Sequence, residues 1–296
     1  MSDNSSNRDW IALLRKAASA GKEAILRNYD DHGNRSAIVG RGAGGDLTLK
    51  IDEAGESAIH SSLNEDLGKD SYIFVSEELG EVSTERGATG NGNRAVPIVL
   101  CDPLDGSHNA QWGIPLFSIS LSVLGLSRKI NRGDKRLFRD VDVGLVLSVP
   151  TQDEFSAVRG KGSHHNQRRL VPRTTQYRRF ETLLIECGDA NYFQGLAAKL
   201  SDDYVYKTRL LGSAAISFCL LAAGSADGFI FVQPGGARTI DSPAGYLIAR
   251  EAGCVFSELS PHAGDIEDIE VGFDSRLNLI GGANESALSL LKSRVC

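Results

Sequence analysis

CDPLDGSHN, residues 101–109, sets two carboxylates, Asp102 and Asp105, three positions apart around a proline. Pro103 lacks an N–H and fixes its own φ, so the turn is stiff and aims both acids in a constant direction. The Leu104 carbonyl lies between them as a further hard oxygen, the donor type that a divalent cation such as Mg²⁺ takes. Gly106 and Ser107 follow with backbone N–H groups. If a helix starts there, those unpaired donors and the helix dipole favour an anion beside the cation. Two acids and a glycine are equally a capped surface turn when they stand alone. The preceding residues separate the two readings: AVPIVL, 95–100, is an apolar strand, so the acids end a buried strand, where ligand sites of α/β sheets gather.

Working outward, SYIFVSEE (71–78) is a second short strand that stops at acids, Glu77 and Glu78, and GEVSTERGATGNGNR (80–94) between the two is turn material, read as an exposed loop. Upstream, apolar residues from Trp10 to Leu26 recur at helical spacing and predict a helix ending near Tyr29. EAGESAIHSSLNEDL (53–67) resumes that period, which puts Asp52 near a helix start, where a plain capping role is the alternative. Downstream, LFSISLSVLGL (116–126), DVDVGLVLSVP (140–150) and DEFSAVRG (153–160) read as strands, the last two joined as a hairpin, and RRLVPRTTQYRR (168–179) as a connector. The rest alternates: strand 181–187, helix from Asn191, strand 204–211, helix 213–224, strand 227–232, helix 240–253, strands 254–258 and 277–283, and a last helix. Such alternation predicts an α/β (α+β) layered sheet protein. A soft boundary near Gly160 divides an N-terminal metal-binding α+β half, 1–160, from a C-terminal α/β half, 161–296, in one compact unit with the active site between them.

Composition narrows the partners. With 32 Lys and Arg against 38 Asp and Glu in 296 residues, the net charge is −6, so no global positive field exists to hold nucleic acid or an acidic membrane. The five cysteines, Cys101, Cys187, Cys219, Cys254 and Cys296, are odd in number and never spaced CxxC, which argues against a disulfide framework or a zinc site. The polar start MSDNSSNRDW has no apolar signal core, and no run of about 18 apolar residues occurs, so a cytoplasmic protein that does not span a membrane is expected.

DPLDGS with the preceding SEE resembles the Mg²⁺-dependent, lithium-sensitive phosphatase superfamily of inositol monophosphatases and fructose-1,6-bisphosphatases. Three further blocks carry the resemblance in the family's order: GDLTLKIDEAGE (45–56), GSAAISFCLLAAGSADGF (212–229) and RTIDSPAGYLIAREAGC (238–254). The resemblance implies a layered αβαβα sandwich of the sugar phosphatase type. It implies that Glu77, Asp102 and the Leu104 carbonyl hold one Mg²⁺ and that Asp102, Asp105 and Asp241 hold a second, with Asp102 bridging. A third, weaker ion near Glu77, Mn²⁺ as a substitute and Li⁺ as an inhibitor come with it. Asp52, through the Ser107 hydroxyl, would accept or orient the proton of the attacking water, and Glu78 would orient without ligating. Gly106, Ser107, Gly212, Ser213 and Ala214 would let backbone approach the substrate, with Arg209 and Arg238 as nearby cations. In the alternative reading Asp241 is an N-cap, Gly212–Ser213 caps an apolar helix and the arginines are solvated.

Departures from the family pattern bear on specificity. Animal inositol monophosphatases carry Glu seven residues before the last metal Asp, and here that position is Pro234. GRGAGGD (40–46), the Ser of DGS and Arg238 are similar instead to archaeal and bacterial members that act on both fructose 1,6-bisphosphate and inositol phosphates. GRGAGG itself is read as a mobile loop, because no strand–helix unit of a dinucleotide site surrounds it. His164 and His165 are read as part of a solvated loop and His108 as an exposed turn residue, and Ala110 replaces the family's usual aromatic. The expectation is a phosphoric monoester hydrolase for a small sugar or cyclitol phosphate, paired by resemblance as a homodimer, with a place in carbohydrate metabolism and gluconeogenesis. The alternatives are a 3′-phosphoadenosine 5′-phosphate phosphatase and a catalytically inactive polyol-phosphate-binding homologue.

Overall fold

The computed structural model describes residues 8–295 except 69, 85–95, 132, 172, 201–203 and 260–264. Its helices are α1 (Trp10–Tyr29), α2 (Lys50–Leu67), α3 (Ser107–Gln111), α4 (Ala190–Ala197), α5 (Ala214–Ala222), α6 (Pro243–Glu251) and α7 (Glu285–Val295), with a further short helix at His32–Ser36. The first sheet holds β1 (Ile73–Ser76), β2 (Gly80–Ser83), β3 (Ile98–Asp105), β4 (Ser118–Leu124), β5 (Val141–Ser148), β6 (Glu154–Val158), β7 (Gly162–His165) and β8 (Arg168–Arg169), in spatial order 8-7-6-5-4-3-1-2. Its one parallel pair is β1 with β3. The second sheet holds β9 (Phe180–Glu186), β10 (Val205–Arg209), β11 (Gly228–Phe231), β12 (Val255–Glu258) and β13 (Leu279–Gly282), in order 10-9-11-13-12.

Five layers follow from which face of each strand is apolar. In β3, Val99 and Cys101 join the core under α1 and α2, while Ile98 and Leu100 join the core between the sheets. β4, SISLSVL, sends Ile119, Leu121 and Val123 to the α1/α2 side and buries Ser118, Ser120 and Ser122 on the other. Both faces are covered, so the strand is buried along its whole length. α5 and α6 pack on each other and touch strands of both sheets, which makes them the middle layer. α7 and Leu196 of α4 pack on the far face of the second sheet. The order is helix, sheet, helix, sheet, helix, as the motif resemblance implies.

Gly144 of β5 sets how close α6 comes: a Cβ there would lie 2.9 Å from the Ala244 carbonyl oxygen, so only hydrogen fits between sheet and helix. α1 starts where the Asp9 side chain accepts from the Ala12 N–H at 3.1 Å, and it ends at Tyr29 as its periodicity predicts.

Besides His164 and His165, which lie half-buried in strand β7 and not in a solvated loop, three local expectations change. Residues 80–83 are not loop but β2, paired antiparallel with β1 from Ile73↔Ser83 to Ser76↔Gly80, after a turn at Glu77–Leu79 that ends in Gly80 with φ +73°. Residues 85–94 of that loop, and residue 95 of the strand read after it, lie outside the described residues. GRGAGG is the turn of a hairpin formed by Ile38–Arg41 and Leu47–Leu49, with Gly42 N–H bonded to the Asp46 carbonyl at 3.1 Å. Arg168–Arg169, read as connector, adds an edge strand, so the first sheet runs past Gly160. All three segments are too short for a two-residue period to register in sequence.

Candidate metal and phosphate site

β1 and β3 run parallel with Ser76 beside Cys101, so the next residues lie side by side, Glu77 just past the end of β1 and Asp102 inside β3 where its ladder turns irregular. Asp241 arrives from elsewhere, closing the single turn Thr239–Asp241 that leads through Ser242 into α6, with Pro243 as the first helical residue. One oxygen from each of Glu77, Asp102 and Asp241 lies within 4.8 Å of the others. The ladder between β3 and β4 is irregular between Asp102 and Asp105, and inside that irregularity the Leu104 N–H donates to Asp102 Oδ1 at 3.0 Å.

Burial and mutual repulsion make this an unfavourable place for bare carboxylates. Burial pushes Glu77 up to about 9, with Asp241, Glu78, Asp52 and Asp105 adding repulsion. Burial lifts Asp241 to about 7 against the opposing pull of Arg238, and Asp102 is driven well above the carboxylate range by burial and by Glu77. Asp241 Oδ1 is buried and has no hydrogen-bond partner. Hard anionic oxygens converging from separate chain segments, one of them orphaned, fit a Mg²⁺ or Mn²⁺ ion.

The remaining expected residues fall into distinct places. Asp105 is turned toward the start of α5: Ser213 Oγ donates to it, as do the Ala214 and Ala215 N–H groups at 3.1 Å each and Ser118 Oγ at 3.3 Å. Gly106 caps α3 with φ +88°, and a Cβ there would meet the carbonyl oxygens of Leu116 at 2.9 Å and Gly212 at 3.1 Å. A helix does start at Ser107. Asp52 is the third residue of α2; its Oδ2 caps the Leu49 N–H at 2.8 Å, while Oδ1 is buried without a partner. Burial raises Asp52 to about 7, with Glu78 and Glu56 adding repulsion. Glu78 accepts from Thr48 Oγ1.

The two arginines diverge. Arg209 is exposed and donates to the carbonyl of its neighbour Thr208 at 2.8 Å. Arg238 reaches the acids instead, pairing with Asp46 and, at 3.1 Å, with Glu77 Oε1. It ties the 40–46 turn to the cluster, and a side chain at Gly44 would collide with it.

A cleft of about 690 Å³ opens over the cluster. Its wall includes Glu77, Asp102, Leu104, Asp105, Gly106, Ser107, Gly212, Ala214 and Asp241, and leaves Asp52, Glu78, Ser213, Arg209 and Arg238 behind or beside it. His108 is exposed as expected, yet it lines the cleft. Sequence reasoning missed Asn109, Glu186 and Gln233 on the same wall. For Glu186 the signal was present, since LLIEC is a third apolar strand ending in acid.

The profile of the inositol monophosphatase family matches residues 6–291. Similar proteins include the fructose-1,6-bisphosphatase/inositol-1-monophosphatase of Archaeoglobus fulgidus, 30% identical over 286 residues that cover 94% of each chain. The fructose-1,6-bisphosphatase of Pyrococcus furiosus is 30% identical over 249 residues, 84% of each. Among solved structures, the extragenic suppressor protein suhB of Bartonella henselae superposes with a TM-score of 0.73 over 97% of this chain and 98% of that one, at 23% identity. The family profile spans nearly the whole chain, and the αβαβα layers agree with it: the chain belongs to the inositol monophosphatase family and is a phosphatase.

Proposed function

We propose that this chain is a Mg²⁺-dependent phosphate monoester hydrolase that acts on inositol 1-phosphate and fructose 1,6-bisphosphate, releasing inorganic phosphate and the alcohol. The observation that carries the reading is the convergence of Glu77, Asp102 and Asp241 on the wall of one cleft. Glu77, Asp102 and the Leu104 carbonyl would hold one cation, and Asp102, Asp105 and Asp241 another, with a third, weaker ion at Glu77. Bound divalent cations supply an acidified water and offset charge on the phosphoryl oxygens.

The chain's own residues do the rest. The N–H groups at the start of α3, after Gly106, orient the phosphate. The Ser107 hydroxyl would relay the proton of the attacking water toward Asp52, whose Oδ1 is buried without a partner. Glu78, anchored by Thr48, keeps the acids in register. Gly212 and Ala214 leave room for a polyol on the opposite wall. The breadth of substrate rests on two supports: Pro234 stands where a narrow inositol enzyme carries Glu, and the relatives' names join both activities. Arg209 and Arg238 stand off the cleft wall, so no substrate phosphate is assigned to them.

Phosphate release from fructose 1,6-bisphosphate, inositol 1-phosphate and 3′-phosphoadenosine 5′-phosphate under Mg²⁺ titration tests the proposal. The first two are expected to turn over with Mg²⁺ or Mn²⁺, to stop with chelator and to slow in millimolar Li⁺. Turnover of the nucleotide alone, or none in any Mg²⁺, would contradict it. A cytoplasmic homodimer completes the reading, checked by a light-scattering mass of twice the chain. Among the described residues no helix is long and apolar enough to cross a membrane.

A further inference from the structure

One carboxylate on the cleft wall has no part in the chemistry above. Glu186 ends β9, in the second sheet, and is 7% exposed. Its Oε2 accepts from the Gly212 N–H at 2.9 Å, and its Oε1 accepts from Ser217 Oγ at 2.6 Å and from the Leu211 N–H at 3.3 Å. The next residues of the same segment face the first sheet, where Ser213 Oγ and the Ala214 and Ala215 N–H groups bind Asp105. A helix start leaves its first N–H groups without partners inside the helix. At α5 those first N–H groups, of Ala214 and Ala215, go to Asp105 of the first sheet, while Glu186 of the second sheet takes the two N–H groups just ahead of the helix and the Ser217 hydroxyl inside it. Asn109 fixes the carbonyl side of the segment, donating Nδ2 to the Leu211 carbonyl at 2.7 Å.

We propose, resting on the cation-site reading above, that Glu186 is a positioning residue: by holding Leu211–Gly212 it fixes the helix start that orients Asp105. Three of the four hydrogen-bond partners of Asp105 belong to residues 213–215, and the fourth is Ser118 of β4. Without the Glu186 carboxylate, the buried Ser217 hydroxyl loses its acceptor and Leu211–Gly212, which line the cleft, lose their tie to the second sheet and are free to shift. Asp105 moves with them. The three hydrogen-bond partners of the Glu186 carboxylate all lie on residues 211–217, so its placement points to holding that segment. Outer partners of this kind fix the direction of a ligating oxygen, and their loss weakens cation binding by about 10–100-fold.

The test uses the full-length chain and two variants. E186Q keeps the size but presents an NH₂ where a second acceptor is needed, and S217A removes one donor while leaving both backbone bonds, a milder change in case E186Q does not fold. Three quantities are read: Mn²⁺ affinity by titration calorimetry, amide hydrogen exchange over 211–215, and kcat and KM on fructose 1,6-bisphosphate. E186Q is expected to bind Mn²⁺ about 10–100-fold more weakly, exchange faster at 211–215 and lose kcat with KM held, and S217A is expected to follow in the same direction by less. A folded E186Q with wild-type Mn²⁺ affinity overturns the proposal, whether its KM rises, as a substrate contact would make it, or only its melting temperature falls. If E186Q does not fold, unchanged affinity in S217A overturns it. A wild-type chain that binds no Mn²⁺ would overturn the cation site itself, a different failure.

Discussion

Asp52, Glu77 and Asp241 sit where burial opposes their charge, at about 7, 9 and 7 against ordinary values near 4. In chelator-stripped protein the folded state keeps protons that the unfolded chain has released, so the unfolded state binds fewer and stability falls as pH rises. The fall runs from about 4, where unfolded carboxyls ionise, up through the raised folded values, and levels beyond about 9. Asp153, lowered by its bonds to Thr151, His165 and Asn166, acts the opposite way only below that window. A cation at the cluster replaces those protons, so its stabilising effect grows across the same range. Melting temperature measured from pH 5 to 9.5, with chelator and with Mg²⁺, checks this: the two curves are expected to diverge as pH rises. Parallel curves would mean that the acids do not meet a cation. Glu77 was legible in SEE, as Asp102 was in DPLDGS, because each is an acid after an apolar strand, whereas the roles expected of Asp52 and of Asp241 in RTID came through the family resemblance. The partner of Arg238 was not legible, since nothing in the spacing to Asp241 says that its guanidinium crosses to Glu77 and Asp46.

At the scale of elements, α6 carries Asp241 to the acids at its start, and its distance from the first sheet is set by Gly144 against the Ala244 backbone. Gly144→Val places a branched side chain where even a Cβ lies 2.9 Å from a carbonyl oxygen that belongs to the helix. Overpacking of this kind costs about 1–3 kcal/mol and is relieved only by moving the helix. The variant is expected to melt lower and, because Asp241 moves with α6, to bind Mn²⁺ more weakly than a core variant of equal stability far from the site, such as Leu291→Ala in α7. Calorimetry on both separates the two effects, and equal Mn²⁺ affinity in the pair would contradict the coupling. The long elements were legible because their periods repeat: α1 stops at Tyr29 as read, and β4 and β5 lie within their apolar runs. β2 and Arg168–Arg169 were not, since two to four residues carry too few alternations and their pairing is supplied by neighbours distant in sequence.

For the molecule as a whole, the five layers bring together acids that are far apart in the chain. Glu77 and Asp102 come from parallel strands of one sheet, Asp241 from the turn into the middle helix layer, and Glu186 from the other sheet. The motifs named which residues to watch, but the meeting point exists only once both sheets close on α5 and α6. The central claim is therefore cation capture by the assembled cluster, and it is tested most directly by titrating Mn²⁺ into the wild-type chain and into Asp102→Asn. The expected result is saturable binding in the wild type and a loss in the variant greater than the about 10–100-fold that an outer partner costs, with phosphate release falling in step. Equal binding in both chains, or Mg²⁺-dependent phosphate release left intact by Asp102→Asn, would contradict it.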